Sequence, residues 1–564
     1  MTWLIETLRQ HPEVALFLTL AIGQAVARFR IGPIQLNGVV AALLAGVAVG
    51  QLRIQVPQAL QWAFFVLFLF SIGYQTGPQF FRGLGRSALP QVGLSLLLCG
   101  AALGSALALA RILGFDAGAG AGLLAGGLNA SAAIGTAGSA LDGLALDPAT
   151  AQGLATSLTV AFAVTYLVGL LTEIFTLTTI GPWLMRVDLP AECRKLEADL
   201  GVGAGDAGVS AYQDIAVRAY AIPGALDGIT VTALEGRFAP ARVFVERLRT
   251  SAGVVDPEPG MRLRTGDVVA LSGRQPVFVD PANPLGGAEV SDPALLDIPI
   301  ATAEVVVTSR ALAGRTLAQL AATIGQEEAS RGVFVRGVGR GGQKLPFGPG
   351  LRVERGDVVT LVGPAGQVGR AGTLVGATVL SSSRTDMLAL AGAIAIGAIA
   401  GLASFTVAGL EIGLSMPVGV LVGGLVAGWL RSVRPALARV PGPVLTLFDS
   451  LGLAGFLAVV GINAGPGFVD GLRTSGGPLV MAGVLVCLVP NLVTILMGRY
   501  VLRMHPGVLL GVCAGAGTSP AGLAAVQDKA KSQVPTLGYG VSYAVGNLLL
   551  ALWGSVLVTL LQPT

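Results

Sequence analysis

Gly73-Tyr-Gln-Thr-Gly-Pro-Gln-Phe-Phe-Arg-Gly-Leu84 returns later in the chain as Gly461-Ile-Asn-Ala-Gly-Pro-Gly-Phe-Val-Asp-Gly-Leu472. Two more segments recur in the same order. Gly127-Leu-Asn-Ala-Ser-Ala-Ala-Ile134 matches Ala516-Gly-Thr-Ser-Pro-Ala-Gly-Leu523, and Ala163-Val-Thr-Tyr-Leu-Val-Gly169 matches Gly540-Val-Ser-Tyr-Ala-Val-Gly546. The offsets are 388, 389 and 377 residues. One match would be chance. Three collinear ones at a nearly constant offset are a duplication, with other sequence between the copies.

Composition says where the copies reside. Of 564 residues, 53% are hydrophobic and 12% charged, and mean hydropathy is +0.74. A soluble protein carries roughly 25% charge, so disorder and a single soluble globule are excluded. The 81 glycines have no Gly-X-Y period, which excludes collagen and suits helices packed closely in lipid. A net charge of +4 and 6% aromatics, without basic–aromatic interleaving, exclude a nucleic-acid binder. Cys99, Cys193, Cys487, Cys513, His11 and His505 are scattered, so no metal site, disulfide framework or cofactor is expected. Glu6, Arg9 and Glu13 precede the first apolar run, which is not a cleavable signal pattern.

The charges divide the chain. Residues 1–185 hold 13 of the 68 charged side chains, 186–386 hold 43, and 387–564 hold 12. Charge-free runs cover 14–27, 31–52, 54–81, 87–110, 117–141 and 148–172 in the first part. In the last part they cover 387–410, 412–430, 450–469, 474–498, 506–527 and 532–564. Most approach the roughly 20 residues a bilayer-spanning helix needs. The pattern predicts a polytopic α-helical membrane protein. It has a first transmembrane repeat (1–185), a soluble insert (186–386) and a second transmembrane repeat (387–564).

Cytoplasmic loops are enriched in Lys and Arg. With the N-terminus outside and five spans per half, 117–145 dips in and returns on one side. Arg28, Arg30, Arg82, Arg86, Arg186, Arg194 and Lys195 then fall inside, as do Arg384, Arg431, Arg434, Arg439, Arg499, Arg503, Lys529 and Lys531. Arg9, Arg53, Arg111 and Arg473 fall outside. The bias holds in both halves only if they are inverted repeats, each with about five helices and a re-entrant or broken segment. Both termini are then outside and the insert is cytoplasmic. Inverted repeats with a midplane site are the signature of secondary transporters.

The insert is itself duplicated. Pro259-Gly-Met-Arg-Leu-Arg-Thr-Gly-Asp-Val-Val-Ala-Leu-Ser-Gly273 matches Pro349-Gly-Leu-Arg-Val-Glu-Arg-Gly-Asp-Val-Val-Thr-Leu-Val-Gly363. Gly228–Thr230 and Gly314–Thr316 share a Gly-x-Thr form, and apolar β-branched runs occur at Ile229–Thr232 and Gly332–Val335. Two small α+β domains follow, about 205–280 and 300–370, joined by a linker at Pro281–Pro293. The Gly-rich 339–342 is read as a hairpin turn, because no Walker lysine accompanies it.

Candidate site residues lie where polar groups interrupt the repeated segments. Asn129, Ala130 and Ser131 stand opposite Thr518, Ser519 and Pro520. Irregular backbone at membrane depth persists only beside protein or a water-filled cavity, and helix N-termini at a break suit a carboxylate. The Gly-Pro segments add Gln75, Thr76 and Asn463 as possible ligands, with Gly73, Gly77, Pro78, Gly461, Gly465 and Pro466 as the structural motif. A helix stop at the membrane interface is the alternative reading of those segments. Arg82 is a possible charge partner or an interfacial anchor. Glu173 and Asp449 are acids inside apolar runs, a placement typical of proton or ion sites. Thr536-Leu-Gly-Tyr-Gly540 is read as a helix start rather than an ion filter. Ser, His and Cys form no catalytic constellation, so the chain is not read as an enzyme.

The paired Gly-x-x-x-Gly-Pro motifs, the Asn129-Ala-Ser131 and Thr518-Ser-Pro520 segments and the insert's twin Pro-Gly…Gly-Asp-Val-Val ends resemble the aspartate–alanine exchanger family. The insert's ends look like the RCK-C (TrkA-C) regulatory domains of potassium-uptake proteins. The resemblance covers nearly the whole chain. It implies antiport of an amino acid or dicarboxylate, aspartate for alanine first, in the cell inner membrane, commonly as a homodimer. It also implies an anionic or zwitterionic substrate, and a small regulatory ligand on the cytoplasmic domains. A proton- or sodium-coupled organic-anion (succinate-type) transporter is the alternative. An RCK-regulated channel is less favoured, since no filter is found.

Overall fold

A computed structural model of the chain describes residues 2–28, 30–31, 34–35, 38–83, 88–144, 146–200, 215–239, 241, 243–280, 283–309, 311–324, 332–340, 343–378, 385–402, 404–407, 410–413, 415–434 and 437–562. The chain forms two compact units. One is Met1–Leu196 with Gly341–Gln343 and Ser381–Thr564; the other is Glu197–Arg340 with Lys344–Leu380.

The first unit runs through the same element order twice. After α1 (Thr2–Gln10) come α2 (Pro12–Ala27), the hairpin β1 (Arg30–Ile31) and β2 (Ile34–Gln35), and α3 (Gly38–Gly50). Then follow α4 (Gln58–Gly83), α5 (Leu89–Leu113), the short pair α6 (Ala117–Gly127) and α7 (Ser131–Asp142), and α8 (Pro148–Phe175). A π-helical turn, Thr176–Ile180, continues α8 into α9 (Gly181–Met185), and α10 (Leu189–Asp199) follows.

The second pass has α16 (Met387–Gly401), the hairpin β13 (Ser404–Val407) and β14 (Leu410–Gly413), and α17 (Met416–Val433). It continues with α18 (Gly442–Leu496), the short pair α19 (Pro506–Ala516) and α20 (Pro520–Ala530), and α21 (Thr536–Leu560). Six helices are long and apolar enough to cross a bilayer, among the described residues. The protein is therefore a multi-pass membrane protein by length and composition.

One expected boundary is absent. The runs 450–469 and 474–498 are a single helix, extended by a second π turn at Met497–Val501. Pro466, Pro478 and Pro490 lie inside it. Each proline removes one backbone donor and frees the carbonyl four residues earlier. Thr536, by contrast, opens α21 as read from sequence.

Packing crosses between the copies. A Cβ on Gly73 would meet Leu421 and Leu425, and one on Gly77 would meet Leu425 and Trp429, so α4 and α17 run parallel in contact. Gly46 faces Ala458 and Gly461, and Gly465 faces Gly50, so α3 runs parallel to the start of α18. Phe64 lies against Gly455 and Phe68 against Gly452, while the Ser71 hydroxyl donates to the Leu445 carbonyl at 2.8 Å. Thus α4 and its counterpart, the first part of α18, run antiparallel. Their core is aromatic: Phe65 stacks on Phe456 at 4.5 Å between ring centroids.

The Gly-Pro segments prove to be packing devices. The sequence left open a helix stop, but the helices continue through Pro78 and Pro466. Pro78 frees the Tyr74 carbonyl, and that oxygen abuts Gly428 of α17; Pro466 frees the Ile462 carbonyl, which abuts Gly50 of α3. A bare Cα allows so close an approach, and Cα–H···O contacts partly satisfy the freed carbonyl.

The second unit holds two sheets of identical topology. The first contains β3 (Ile215–Ala221), β4 (Val243–Thr250), β5 (Gly253–Val255), β6 (Val268–Arg274) and β7 (Glu289–Val290), in spatial order β5-β4-β6-β3-β7. Short helices α11 (Val231–Gly236), α12 (Gln275–Val279) and α13 (Pro293–Leu296) accompany it. The second contains β8 (Ile300–Val307), β9 (Phe334–Arg340), β10 (Gln343–Lys344), β11 (Val358–Pro364) and β12 (Gly376–Thr378), in order β10-β9-β11-β8-β12, with α14 (Leu317–Ile324) and α15 (Ala365–Val375).

Even the bulge repeats. The register slips at Glu246 opposite β6 and at Arg336 opposite β11. Gly266 and Gly356 take φ values of +89° and +87°, which the Gly-Asp turn requires of a residue without Cβ. In each turn the following aspartate accepts a backbone N–H, Asp267 from Arg264 at 2.8 Å and Asp357 from Glu354 at 2.7 Å.

Within the β-branched run Ile229–Thr232, Thr230 makes a single β-bridge with Arg262 and caps α11 by accepting the Ala233 N–H. The stretch expected as a linker supplies β7, paired with β3, and Asp292, whose carboxylate accepts from Arg249 at 2.5 and 2.7 Å. Its Pro281 and the neighbouring Ala282, and the turn residues 341 and 342, lie outside the described residues.

Candidate functional site

The third repeated segment explains how the site is assembled. Gly169 of α8 lies directly against Gly127, the last residue of α6, and Gly546 of α21 lies against Ala516, the last residue of α19. Each long helix therefore passes over the place where a short pair is interrupted. Any side chain at Gly169 or Gly546 would collide with that backbone.

Both interruptions have the same geometry. Asn129 and Thr518 occupy the left-handed region at φ +54° and +55°, which costs an L-residue roughly 1–2 kcal/mol. Asn tolerates it better than a β-branched Thr. Ala130 then precedes α7 as its N-cap, and Ser131 begins the helix. Ser519 caps α20 by accepting the Gly522 N–H at 3.0 Å, and Pro520 fills the first turn. Pro suits that place because its missing N–H would have no intrahelical partner.

The two interruptions meet. The Thr518 hydroxyl reaches the Leu128 carbonyl at 3.5 Å, and Asn129 Nδ2 donates to Glu173 Oε2 at 3.4 Å. Glu173 lies one helical turn beyond Gly169 and is 2% exposed. Its carboxyl also faces Ser519, Gly517 and Gly522 of the other half. A π turn continues the helix beyond Glu173 to Met185, and Glu173 sits where both interruptions converge.

Several buried polar atoms here have no hydrogen-bond partner. They are Asn129 Oδ1, Glu173 Oε1 and Thr176 Oγ1. The Tyr539 and Ser542 hydroxyls of α21 are in the same condition, and Gly515 of α19 packs on both residues. Buried groups left unpaired cost about 1–3 kcal/mol each. Such a concentration suits a place that water and a polar ligand fill. It offers an amide, hydroxyls, helix N-termini and a single carboxyl. Glu173 has no Lys, Arg or His partner among the described residues. No group of three His, Cys, Asp or Glu occurs among them either.

The remaining sequence candidates lie elsewhere in the contact pattern. Gln75 is exposed and donates to Ser71 at 2.9 Å. Thr76 returns its hydroxyl to Ile72 at 2.8 Å within its own helix. Asn463 holds the Val56 backbone through both amide atoms, at 3.0 and 3.3 Å. Asp449 is partly buried in α18. Arg82 is the penultimate residue of α4, and its side chain lies outside the described residues. Thr176 is the site residue that the repeats did not flag. Its signal was available: it lies three residues after Glu173, on the same helix face.

Comparison with known proteins gives the same division. The family Asp-Al_Ex, described as "Predicted Permease Membrane Region", matches residues 15–182 and again 389–559. The chain is 38% identical to an "uncharacterized transporter" of Shewanella oneidensis over 100% of both chains. It is 38% identical to one of Bordetella parapertussis over 98% of both, and 39% identical to one of Bradyrhizobium diazoefficiens over 92% of this chain and 100% of the relative. No solved structure matches. Two membrane halves that match one permease family, and full-length relatives that are named transporters, lead to one identification: the chain belongs to the Asp-Al_Ex family of membrane permeases.

Proposed function

We propose that the protein is a secondary antiporter exchanging an amino acid or dicarboxylate, aspartate for alanine first, by alternating access. The observation that carries this reading is the meeting of two interrupted helix pairs, one from each half, around Asn129, Thr518, Ser519 and Glu173. Helix N-termini at such breaks attract carboxylates. The halves are inverted repeats, which the antiparallel course of α4 and the first part of α18 supports. An elevator-like displacement of the interrupted pairs and their long helices against the remaining scaffold would expose the site to each side.

In this reading the protein lies in the inner membrane with both termini outside. The insert is cytoplasmic and carries two RCK-C-like domains that take a small regulatory ligand, and the transporter is a homodimer. Purified full-length protein in liposomes tests the reading. Uptake of labelled aspartate should require internal alanine, aspartate or a dicarboxylate. Absence of counterflow with every acidic amino acid, neutral amino acid and dicarboxylate would overturn it. The Glu173 carboxyl at the meeting point favours one second reading, ion-coupled transport of the same substrates.

A further inference from the structure

We propose that Glu173 is a proton-binding site of the transport cycle: an anionic substrate is accepted when this carboxyl carries a proton, and the two cross together. The inference rests on the reading of the interrupted pairs as the substrate site.

Asymmetry is the first argument. At the offset of the third repeated segment, the counterpart of Glu173 is Leu550, which is 0% exposed. The duplicated fold packs equally well around a leucine at this place, so packing does not require the acid.

Isolation is the second. Asn129 and Ser519 are the polar groups at the carboxyl, Oε2 accepting from the Asn129 amide. The titratable groups that face it are the thiols of Cys487 on α18 and Cys513 on α19, and the Tyr539 phenol on α21. From α6, α7, α20 and the π turn, no Lys, Arg, His, Asp or second Glu faces it among the described residues. An unpaired charge within a membrane protein is expensive unless it is neutralised or paired. One proton does this, whereas a metal cation needs several oxygen ligands.

Geometry is the third. Oε1 is buried without a partner, and so is Asn129 Oδ1. The oxygen and nitrogen of an asparagine amide exchange places by a simple flip. Asn129 can therefore donate Nδ2–H to the carboxylate, or accept from the O–H of the protonated acid through Oδ1. It reads the protonation state at the residue that forms the break.

The step is balanced without a redox partner. On the side where the site is open, water delivers a proton to a Glu173 oxygen, and the acid form no longer repels the incoming carboxylate. After the site opens to the other side, substrate leaves and the proton returns to water there.

Full-length wild type and Glu173→Gln in alanine-loaded liposomes, with labelled aspartate and an entrapped pH dye, test this. In wild type, an acid-outside gradient should drive aspartate accumulation together with acidification of the lumen, and aspartate affinity should weaken as pH rises. The glutamine variant mimics the neutral acid, so its aspartate affinity should lose its pH dependence and gradient-driven accumulation should disappear. Wild type that exchanges aspartate without responding to the gradient would overturn the inference and leave the transport reading standing. So would a variant that keeps gradient-driven accumulation. Wild type that exchanges none of the substrate classes sinks both. Dicyclohexylcarbodiimide, which attacks protonated buried carboxyls, gives a readout independent of the variant's folding. Glu173 should be labelled in wild type, more slowly as pH rises and in the presence of aspartate. No label there, or labelling indifferent to pH, refutes the proposal.

Discussion

The two membrane halves share a scaffold and differ in chemistry. Each interrupts a short helix pair with one left-handed residue, and each lays a glycine of a long helix on the end of the preceding helix. Yet the left-handed residue is Asn129 in one and Thr518 in the other, and one turn beyond the glycine stands Glu173 in one and Leu550 in the other. Duplication preserves what backbone geometry demands, while the polar contents diverge. The insert teaches the same lesson. Its two sheets have one topology and one bulge position, but the bulge holds Glu246 in the first and Arg336 in the second.

The largest expected effect breaks the symmetry of the insert. Asp357 is 0% exposed and receives two hydrogen bonds from Arg340 at 2.8 Å, whereas Asp267 in the other turn has no such arginine among its described contacts. Arg340→Met leaves a buried charge unpaired and should cost about 3–5 kcal/mol. Arg249→Met, in the first sheet, should cost less, because Arg249 is 39% exposed and its partner Asp292 keeps 16% of its side chain exposed. Chemical unfolding of the full chain, followed by a probe in the insert, checks both.

Next come the helix crossings. Gly428→Leu and Gly50→Leu push a side chain into the Tyr74 and Ile462 carbonyls. Each should destabilise by about 1–3 kcal/mol or more, read as a lower unfolding temperature in detergent. Equal losses would sharpen the pseudo-symmetry; a neutral result at either site would break it.

At the site, Asn129→Ala should weaken substrate affinity about tenfold, the scale of one hydrogen bond to a charged group. Thr518→Ala should weaken it less, since Thr518 does not contact the carboxyl in the described hydrogen bonds. Binding assays in detergent distinguish them. Exchanging the left-handed residues should act on stability instead. Thr518→Asn should gain roughly 0.5–1 kcal/mol and Asn129→Thr should lose as much, visible in thermal unfolding.

The smallest effect concerns pH. The Arg249 guanidinium holds the Asp292 carboxyl below the usual carboxylate range. Its folded value is depressed, so its stabilisation is present at neutral pH and is lost as pH falls through that lowered value. Acid unfolding of Arg249→Gln should lack this component, and high salt should reduce it in wild type.

Much of this was legible in the residues. Collinear repeats and the charge distribution gave the duplicated helical scaffold, because a bilayer demands long apolar runs and a copied backbone keeps its glycines. Asn129 and Thr518 were legible as polar interruptions at matching places. The role of the Gly-Pro segments was not: proline in a string looks like a helix end, and only the neighbouring helix supplies the Cα that meets the freed carbonyl. Glu173 was visible as an acid in an apolar run. Its surroundings were hidden, because Asn129 of one interruption and Ser519 of the other reach it only in the folded chain.

The reciprocal crossing of α4 with α17 and of α3 with α18 also bears on biosynthesis. When the first half leaves the ribosome, the surfaces around Gly50 and Gly73 have no mates, and those mates are made more than three hundred residues later. The early helices must wait in the bilayer as an unfinished bundle. Severing the polypeptide within the insert would therefore yield two fragments that each depend on the other for maturation, and co-production should rescue what either alone cannot attain.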